Sequence, residues 1–136
     1  MPRFQQALEE RDHAMMMVQY LLDADERAVI SGVAAPQVDF GDVVSPVALA
    51  LAQEKRVSEQ INALAALARQ ESDYSSEQFM QWFIKEQIEE VATMSDLLRV
   101  VERSQDRPMD IEDYLAREQL GEEATDPTAP HPAGAD

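Results

Sequence analysis

Apolar residues recur every three or four positions along four stretches of the chain, and no stretch of useful length alternates in the manner of a β-strand. Gly is scarce, and the Ala, Leu, Glu, Gln and Met content favours helix. The pattern therefore predicts an all-α protein with three long helices and a short C-terminal one. The predicted ranges are 3–25, 45–71, 75–104 and 108–120.

Local signals predict where these helices begin and end. Ser45 and Pro46 resemble an N-cap followed by a first-turn proline, and Ser75 with Gln78 fits a capping box. Pro108 should start the last helix and Gly121 should stop it.

Two long helices joined by the tight turn "ESDYS" should pack as an antiparallel pair. The irregular residues 26–44 are long enough to cross the length of a bundle. We expect one helical domain over residues 1–120 and a disordered tail, rich in Ala, Pro and acidic residues, over 121–136.

The helical stripes that should face a core carry acidic side chains in their middle. Each stripe is otherwise mostly apolar, and a carboxylate removed from water needs a partner. Lys55 and Lys85 are each one residue off their stripes, so the sequence points to a metal cation as the compensating charge. The stripes are Glu10, His13, Met17 and Tyr20; Val47, Leu51, Glu54, Ser58, Ile61, Ala65 and Ala68; and Phe79, Phe83, Glu86, Glu90, Met94, Leu97 and Val101.

Oxygen ligands with one imidazole suit iron or manganese, and zinc is possible. Glu10 and His13 alone fit a solvated helix surface better than a metal site. Glu54 alone fits a boundary position, and Glu86, Glu89 and Glu90 alone fit ordinary surface charge. Their joint occurrence on the stripes of three helices favours the metal hypothesis.

Charge and composition exclude several kinds of partner and of metal site. The 136 residues carry a formal net charge of −16, which repels nucleic acid and anionic membranes and concentrates cations. Cys is absent, which excludes thiolate sites and is compatible with a cytoplasmic location. No apolar run approaches the length of a signal peptide or a membrane helix, so we expect neither nucleic acid nor membrane as partner.

Three segments resemble the second, third and fourth helices of prokaryotic non-haem ferritins: "EERDHAMMMVQYLLD", "ALAQEKRVSEQINALA" and "FMQWFIKEQIEEVATMSDLL". The short "MDIEDYLAREQL" is similar to the family's fifth helix. The order and spacing of E-E-x-x-H, E-K-x-V and E-Q-x-E-E make the resemblance specific. It implies a ferritin-like up-down bundle that oxidises Fe(II) with O2 or peroxide and stores ferric mineral in a 24-subunit homo-oligomeric cage.

The resemblance also implies roles for individual residues. Glu10 would bridge two irons and His13 would bind the first, while Glu54 and Glu90 would bind the second with Gln87 nearby. Further acids would hold a third iron, and Trp82 would pass an electron. These further acids are Glu9, Glu86 and Glu89.

Two departures from related patterns matter. Arg11 and Asp12 stand between Glu10 and His13, where a haem-binding bacterioferritin carries Met, so no haem is expected. The family's first helix, which supplies a further Glu ligand, has no counterpart before "MPRFQQALEERDH". The alternative function is therefore a non-catalytic helical subunit that acts in assembly or as an interaction module, for example by pairing with a full-length ferritin.

Overall fold

The computed structural model describes residues 2–119 and 126–135, and within them the secondary structure consists of helices and their connections. Four helices follow in chain order: α1 (Pro2–Asp23), α2 (Val44–Gln70), α3 (Tyr74–Arg103) and α4 (Pro108–Gln119). The predicted all-α class and the predicted helix order are confirmed. Leu120 and Gly121, where the sequence predicts the last helix to stop, lie outside the described residues.

The chain divides into two compact units: Met1–Pro36 with Glu118–Asp136, and Gln37–Arg117. In the second unit α2 and α3 pack together as an antiparallel pair. Arg69 bonds to Glu77 beside the connecting turn, while Glu54 and Gln87 meet farther from it, as antiparallel helices require. The core of the pair combines apolar residues of both helices, namely Leu51, Ile61, Ala65, Ala68, Met80, Phe83, Met94 and Val101.

The first unit contains α1 and the described part of the C-terminal tail. The backbone N–H of Ala133 donates to the carbonyl oxygen of Met15 at 3.0 Å. Asp126 closes a turn by accepting hydrogen bonds from the N–H and hydroxyl of Thr128. Residues 121–125 and 136 lie outside the described part, and the disorder predicted for residues 121–136 stays a prediction.

The end of α1 is set by a residue in the left-handed region. Asp25 has φ of 56°, a conformation that Asp tolerates better than most side chains, and the N–H of Glu26 then donates to the carbonyl of Leu21 at 2.8 Å. This closure stops the helix at Asp23, two residues earlier than predicted. Residues 24–43 form the irregular connection to α2.

Both predicted N-caps are wrong: the N-cap residues are Val43 and Asp73, and a nearby aspartate accepts the first-turn hydrogen bonds in each case. At α2 the Asp42 carboxylate accepts hydrogen bonds from the backbone N–H groups of Val44 and Ser45 at 2.9 and 2.6 Å. Ser45 is thereby drawn inside the helix. At α3 the N-cap is Asp73, which accepts from the backbone N–H of Ser76 at 3.1 Å and from its hydroxyl. An ionised carboxylate is a stronger acceptor than the serine hydroxyls that the sequence suggested.

These hydrogen bonds stabilise the ionised carboxylates. Donation from the side chain and backbone of Ser76 lowers the pKa of Asp73 from 3.8. Donation from the backbone and side chain of Ser45, with that from Val44 N–H, likewise lowers the pKa of Asp42.

None of the helices in the described part of the chain combines the length and the apolar run that crossing a membrane requires.

We expect Asp73→Asn to lower the unfolding temperature at neutral pH, because a neutral amide is a weaker acceptor for the first turn of α3. The folded-state pKa of Asp73 is below 3.8, so its charge stabilises the fold above that pH and stops doing so as the pH falls through the folded-state value. The difference in unfolding temperature between wild type and variant should therefore become smaller below about pH 3.8. Thermal unfolding followed by circular dichroism from pH 7 to pH 3 measures it.

The matched control is Asp39→Asn, which changes an exposed aspartate of the connecting segment. It should leave the unfolding temperature unchanged over the same pH range. If the unfolding temperatures of wild type and Asp73→Asn differed by a constant amount down to pH 3, the stabilisation would not come from the charge of Asp73.

Candidate functional site

The acidic positions of the α2 and α3 stripes lie at the boundary of the helix pair, between its core and solvent. Glu54, Glu86 and Glu90 are half-buried, whereas Glu89 is exposed. Gln87 is buried, with only 7% of its surface accessible. The periodicity therefore identified the correct face of each helix, and it places Glu89 outside that face.

Gln87 links α3 to α2 through its amide nitrogen. Its Nε2 atom donates to the Glu54 carboxylate oxygen Oε2 at 3.1 Å and to the Glu54 carbonyl oxygen at 3.2 Å. It also lies 3.3 Å from Ser58 Oγ, which in turn donates to the same Glu54 carbonyl at 2.9 Å. A buried amide is tolerated only when it is hydrogen-bonded, and here α2 provides all three acceptors.

The carboxylates of Glu54 and Glu90 approach one another across the helix pair. One oxygen of each lies within 4.8 Å of the other. Two negative charges at that distance repel each other, and a cation placed between them would relieve the repulsion. Carboxylate oxygens are the ligands that hard cations prefer, so this pair can bind a divalent metal.

The other predicted ligands lie on α1, in the first unit. The His13 Nδ1 atom lies 3.7 Å from Glu10 Oε2, so the imidazole and the carboxylate share one side of the helix as the spacing predicts. The His13 side chain is 15% exposed and that of Glu10 is 47% exposed. Glu9 is half-buried. This pair can present one nitrogen and one oxygen to a cation from a single helical turn.

Trp82 and Phe83 lie one turn before Glu86 on α3. The Trp82 ring meets the Phe83 ring edge-to-face, with centroids 5.0 Å apart, and Phe83 is buried. This contact fixes the indole against the core of the helix pair. The role of Trp82 in electron transfer stays a prediction, as do the ligand roles of the individual acids and of His13.

The contact between Ser58 and Gln87 could not be predicted from the sequence. Ser58 occurs on the predicted α2 stripe, where it has the spacing of one helical turn after Glu54, but nothing in that spacing reveals its contact with Gln87. Gln87 was expected near the metal as a ligand. Its nitrogen is engaged by three oxygens of α2, so any bond from Gln87 to a cation would use Oε1.

The sequence profile of the family described as "Ferritin: Ferritin-like domain" matches residues 4–104 of this chain. That range includes α2, α3 and all but the first two residues of α1, with every predicted ligand.

This chain belongs to the ferritin family.

Curated relatives extend the match over almost the whole chain. Ferritin BfrB of Mycolicibacterium smegmatis is 51% identical over 131 residues, which are 96% of this chain and 72% of that protein. Ferritin BfrB of Mycobacterium tuberculosis is 48% identical over the same shares. A protein of Staphylococcus aureus named "Bacterial non-heme ferritin" is 33% identical over 86% of this ferritin and 69% of its own length. The predicted membership of the prokaryotic ferritins is confirmed.

Solved structures confirm the fold of this ferritin. An open pore ferritin from Archaeoglobus fulgidus superposes with a TM-score of 0.78, over 85% of this chain and 71% of that one. A humanized archaeal ferritin superposes with a TM-score of 0.79, covering 85% and 70%. Their sequences are 24% and 23% identical to this one, so they establish the ferritin-like helical fold alone.

We expect Glu54→Leu to raise the stability of the metal-free protein by about 1 kcal/mol, because it removes the repulsion from Glu90 and buries apolar surface. Gln87 keeps two of its three acceptors, the backbone carbonyl of residue 54 and Ser58 Oγ. Urea unfolding in the presence of a chelator measures the change.

Glu59→Leu is the matched control, since Glu59 is exposed on the same helix. It should change the unfolding free energy by no more than about 0.5 kcal/mol. A loss of stability in Glu54→Leu alone would show that the bond from Gln87 to the carboxylate outweighs the repulsion.

Proposed function

We propose that this ferritin binds Fe(II), oxidises it to Fe(III) and contributes to the storage of ferric mineral in a homo-oligomeric cage. The observation that carries the proposal is the approach of the Glu54 and Glu90 carboxylates to within 4.8 Å, beside the buried amide of Gln87. Membership of the ferritin family and relatives named as ferritins support iron as the substrate.

Glu54 and Glu90 would bind one iron, and the resemblance to ferritins implies Glu10 and His13 of α1 as further iron ligands. Hard anionic oxygens stabilise Fe(III) over Fe(II), so ligation by carboxylates favours loss of the electron. Two Fe(II) ions held together can each give one electron to the same O2 molecule, which takes up two protons and leaves as hydrogen peroxide. Glu9, Glu86 and Glu89 would receive a further iron, and the negative surface of the protein would draw Fe(II) inward.

We expect Glu54→Ala and His13→Ala each to slow the aerobic oxidation of Fe(II) by about 10- to 100-fold, because each removes a group that holds an iron in place. The rise in near-ultraviolet absorbance after Fe(II) is added to the protein in air follows the reaction.

The matched control is Glu59→Ala, which removes an exposed carboxylate of the same helix, α2, that is not a proposed ligand. It should oxidise Fe(II) at the wild-type rate. Equal rates in wild type, Glu54→Ala and His13→Ala would contradict the ferroxidase proposal.

A second candidate is a subunit that assembles but does not oxidise iron. It is supported by exposed apolar side chains on two helices, because exposed apolar surface is typical of sites where proteins associate. On α1 these are Leu8, Leu21 and Leu22, with 56%, 37% and 53% exposed, and on α2 they are Val57, Leu64 and Leu67, with 37%, 48% and 52% exposed.

We expect the purified protein to elute from gel filtration far ahead of a 15.3 kDa monomer, because association buries these apolar side chains. Light scattering on the eluting peak gives the subunit number. A large assembly that oxidises no Fe(II) would favour the second candidate, and a monomer that binds no iron would contradict both.

A further inference from the structure

Ser58 is a polar residue in the α2–α3 interface to which the proposed iron chemistry assigns no role. It is half-buried and follows Glu54 by one helical turn. Its hydroxyl donates to the Glu54 carbonyl oxygen at 2.9 Å, and its oxygen lies 3.3 Å from Gln87 Nε2. Ser58 therefore contacts both the residue that holds the Glu54 carboxylate and the backbone of Glu54 itself.

The hydroxyl of Ser58 acts together with the Glu54 carbonyl and carboxylate oxygens to decide which end of the Gln87 amide faces α2. A serine hydroxyl has one proton, and Ser58 gives it to the Glu54 carbonyl. Its oxygen can then act only as an acceptor. The nitrogen of the Gln87 amide satisfies it, whereas the amide oxygen in that position would meet another oxygen. Ser58 thus adds to the preference for the orientation in which Nε2 also reaches Glu54 Oε2.

The alternative orientations of Gln87 are available because solvent lies close by. Ser58 and Gln87 both line a groove of about 560 Å³ between α2 and α3, together with residues such as Lys55 and Ile88. Water in this groove can offer hydrogen bonds to an amide that is not held in place. Without the Ser58 oxygen, the two amide protons keep only the two Glu54 oxygens as acceptors, and water in the groove competes more effectively for one of those protons.

We propose that Ser58 is a positioning residue of the iron site, which keeps the Gln87 amide nitrogen on Glu54 Oε2 and so leaves the second Glu54 oxygen directed at the cation. This inference rests on the proposed function, because it concerns the same carboxylate. The effect is transmitted through Gln87: Ser58 orients the amide, the amide orients the carboxylate, and the carboxylate binds the metal.

The test uses Co(II), which has the charge and the ligand preferences needed to stand in for Fe(II) and is not oxidised under the same conditions. Co(II) is titrated without air into the protein of 136 residues, and its visible absorption gives both the affinity and the ligand geometry. We expect Ser58→Ala to weaken binding by about tenfold and to change the absorption spectrum. Ser58→Thr retains the hydroxyl and should restore both.

Two controls separate positioning from a general effect on the fold. Ser95→Ala removes the hydroxyl of another half-buried serine, on α3, and should leave Co(II) binding unchanged. Thermal unfolding of the metal-free proteins should be similar in all variants, because Ala and Thr are both accommodated in helices at small cost. Glu54→Ala reports whether the cation is bound where we propose.

The outcomes are distinct. If wild type binds Co(II), Glu54→Ala loses it and Ser58→Ala matches wild type, the role of Ser58 is overturned and the proposed iron site stands. If Ser58→Ala and Ser58→Thr lose affinity equally, the hydroxyl is not what matters and the inference is again wrong. If wild type binds no Co(II), or Glu54→Ala binds it as well as wild type, both proposals fail.

Discussion

The hydrogen bonds from the Gln87 amide to α2 are the interaction on which the structure of the helix pair and its site both depend. Gln87 is buried between apolar layers that include Phe83 and Met94, so its amide must find acceptors in the protein. It finds them on Glu54 and Ser58. A slide of one helix along the other would leave the amide unpaired at a cost of about 1–3 kcal/mol, whereas the apolar contacts alone would tolerate small shifts.

The alignment of α2 and α3 along each other also determines where their acidic side chains lie. Because Gln87 and Glu90 lie on the same helix and Gln87 is tied to Glu54, the two carboxylates are held near each other by the same hydrogen bonds that align the helices. Within the described residues every fully buried side-chain nitrogen and oxygen has a hydrogen-bond partner. The polar centre of the pair is therefore compatible with a stable fold, although carboxylates at a helix interface oppose folding when no cation is bound.

The sequence predicted what depends on periodicity and missed what depends on local competition or on a partner from another helix. The stripes on α2 and α3 were placed correctly because burial follows the 3.6-residue repeat, and α3 ends within one residue of its predicted end. The caps were wrong because Asp42 and Asp73 compete with the serines beside them, and only the backbone geometry decides that competition. Ser58 could not be assigned, since its contact with Gln87 spans 29 residues.

The arrangement also links metal binding to stability. Glu54 and Glu90 repel each other in the metal-free protein, and their half-buried position weakens the screening that water would provide. A cation that binds only the folded protein stabilises it by an amount that grows with the ratio of its concentration to its dissociation constant. Replacement of either acid by an apolar residue would remove the repulsion and, with it, a ligand of the proposed iron site. The proposed site would therefore lower the stability of the metal-free protein, and the buried amide of Gln87 would limit that loss by donating to the Glu54 carboxylate.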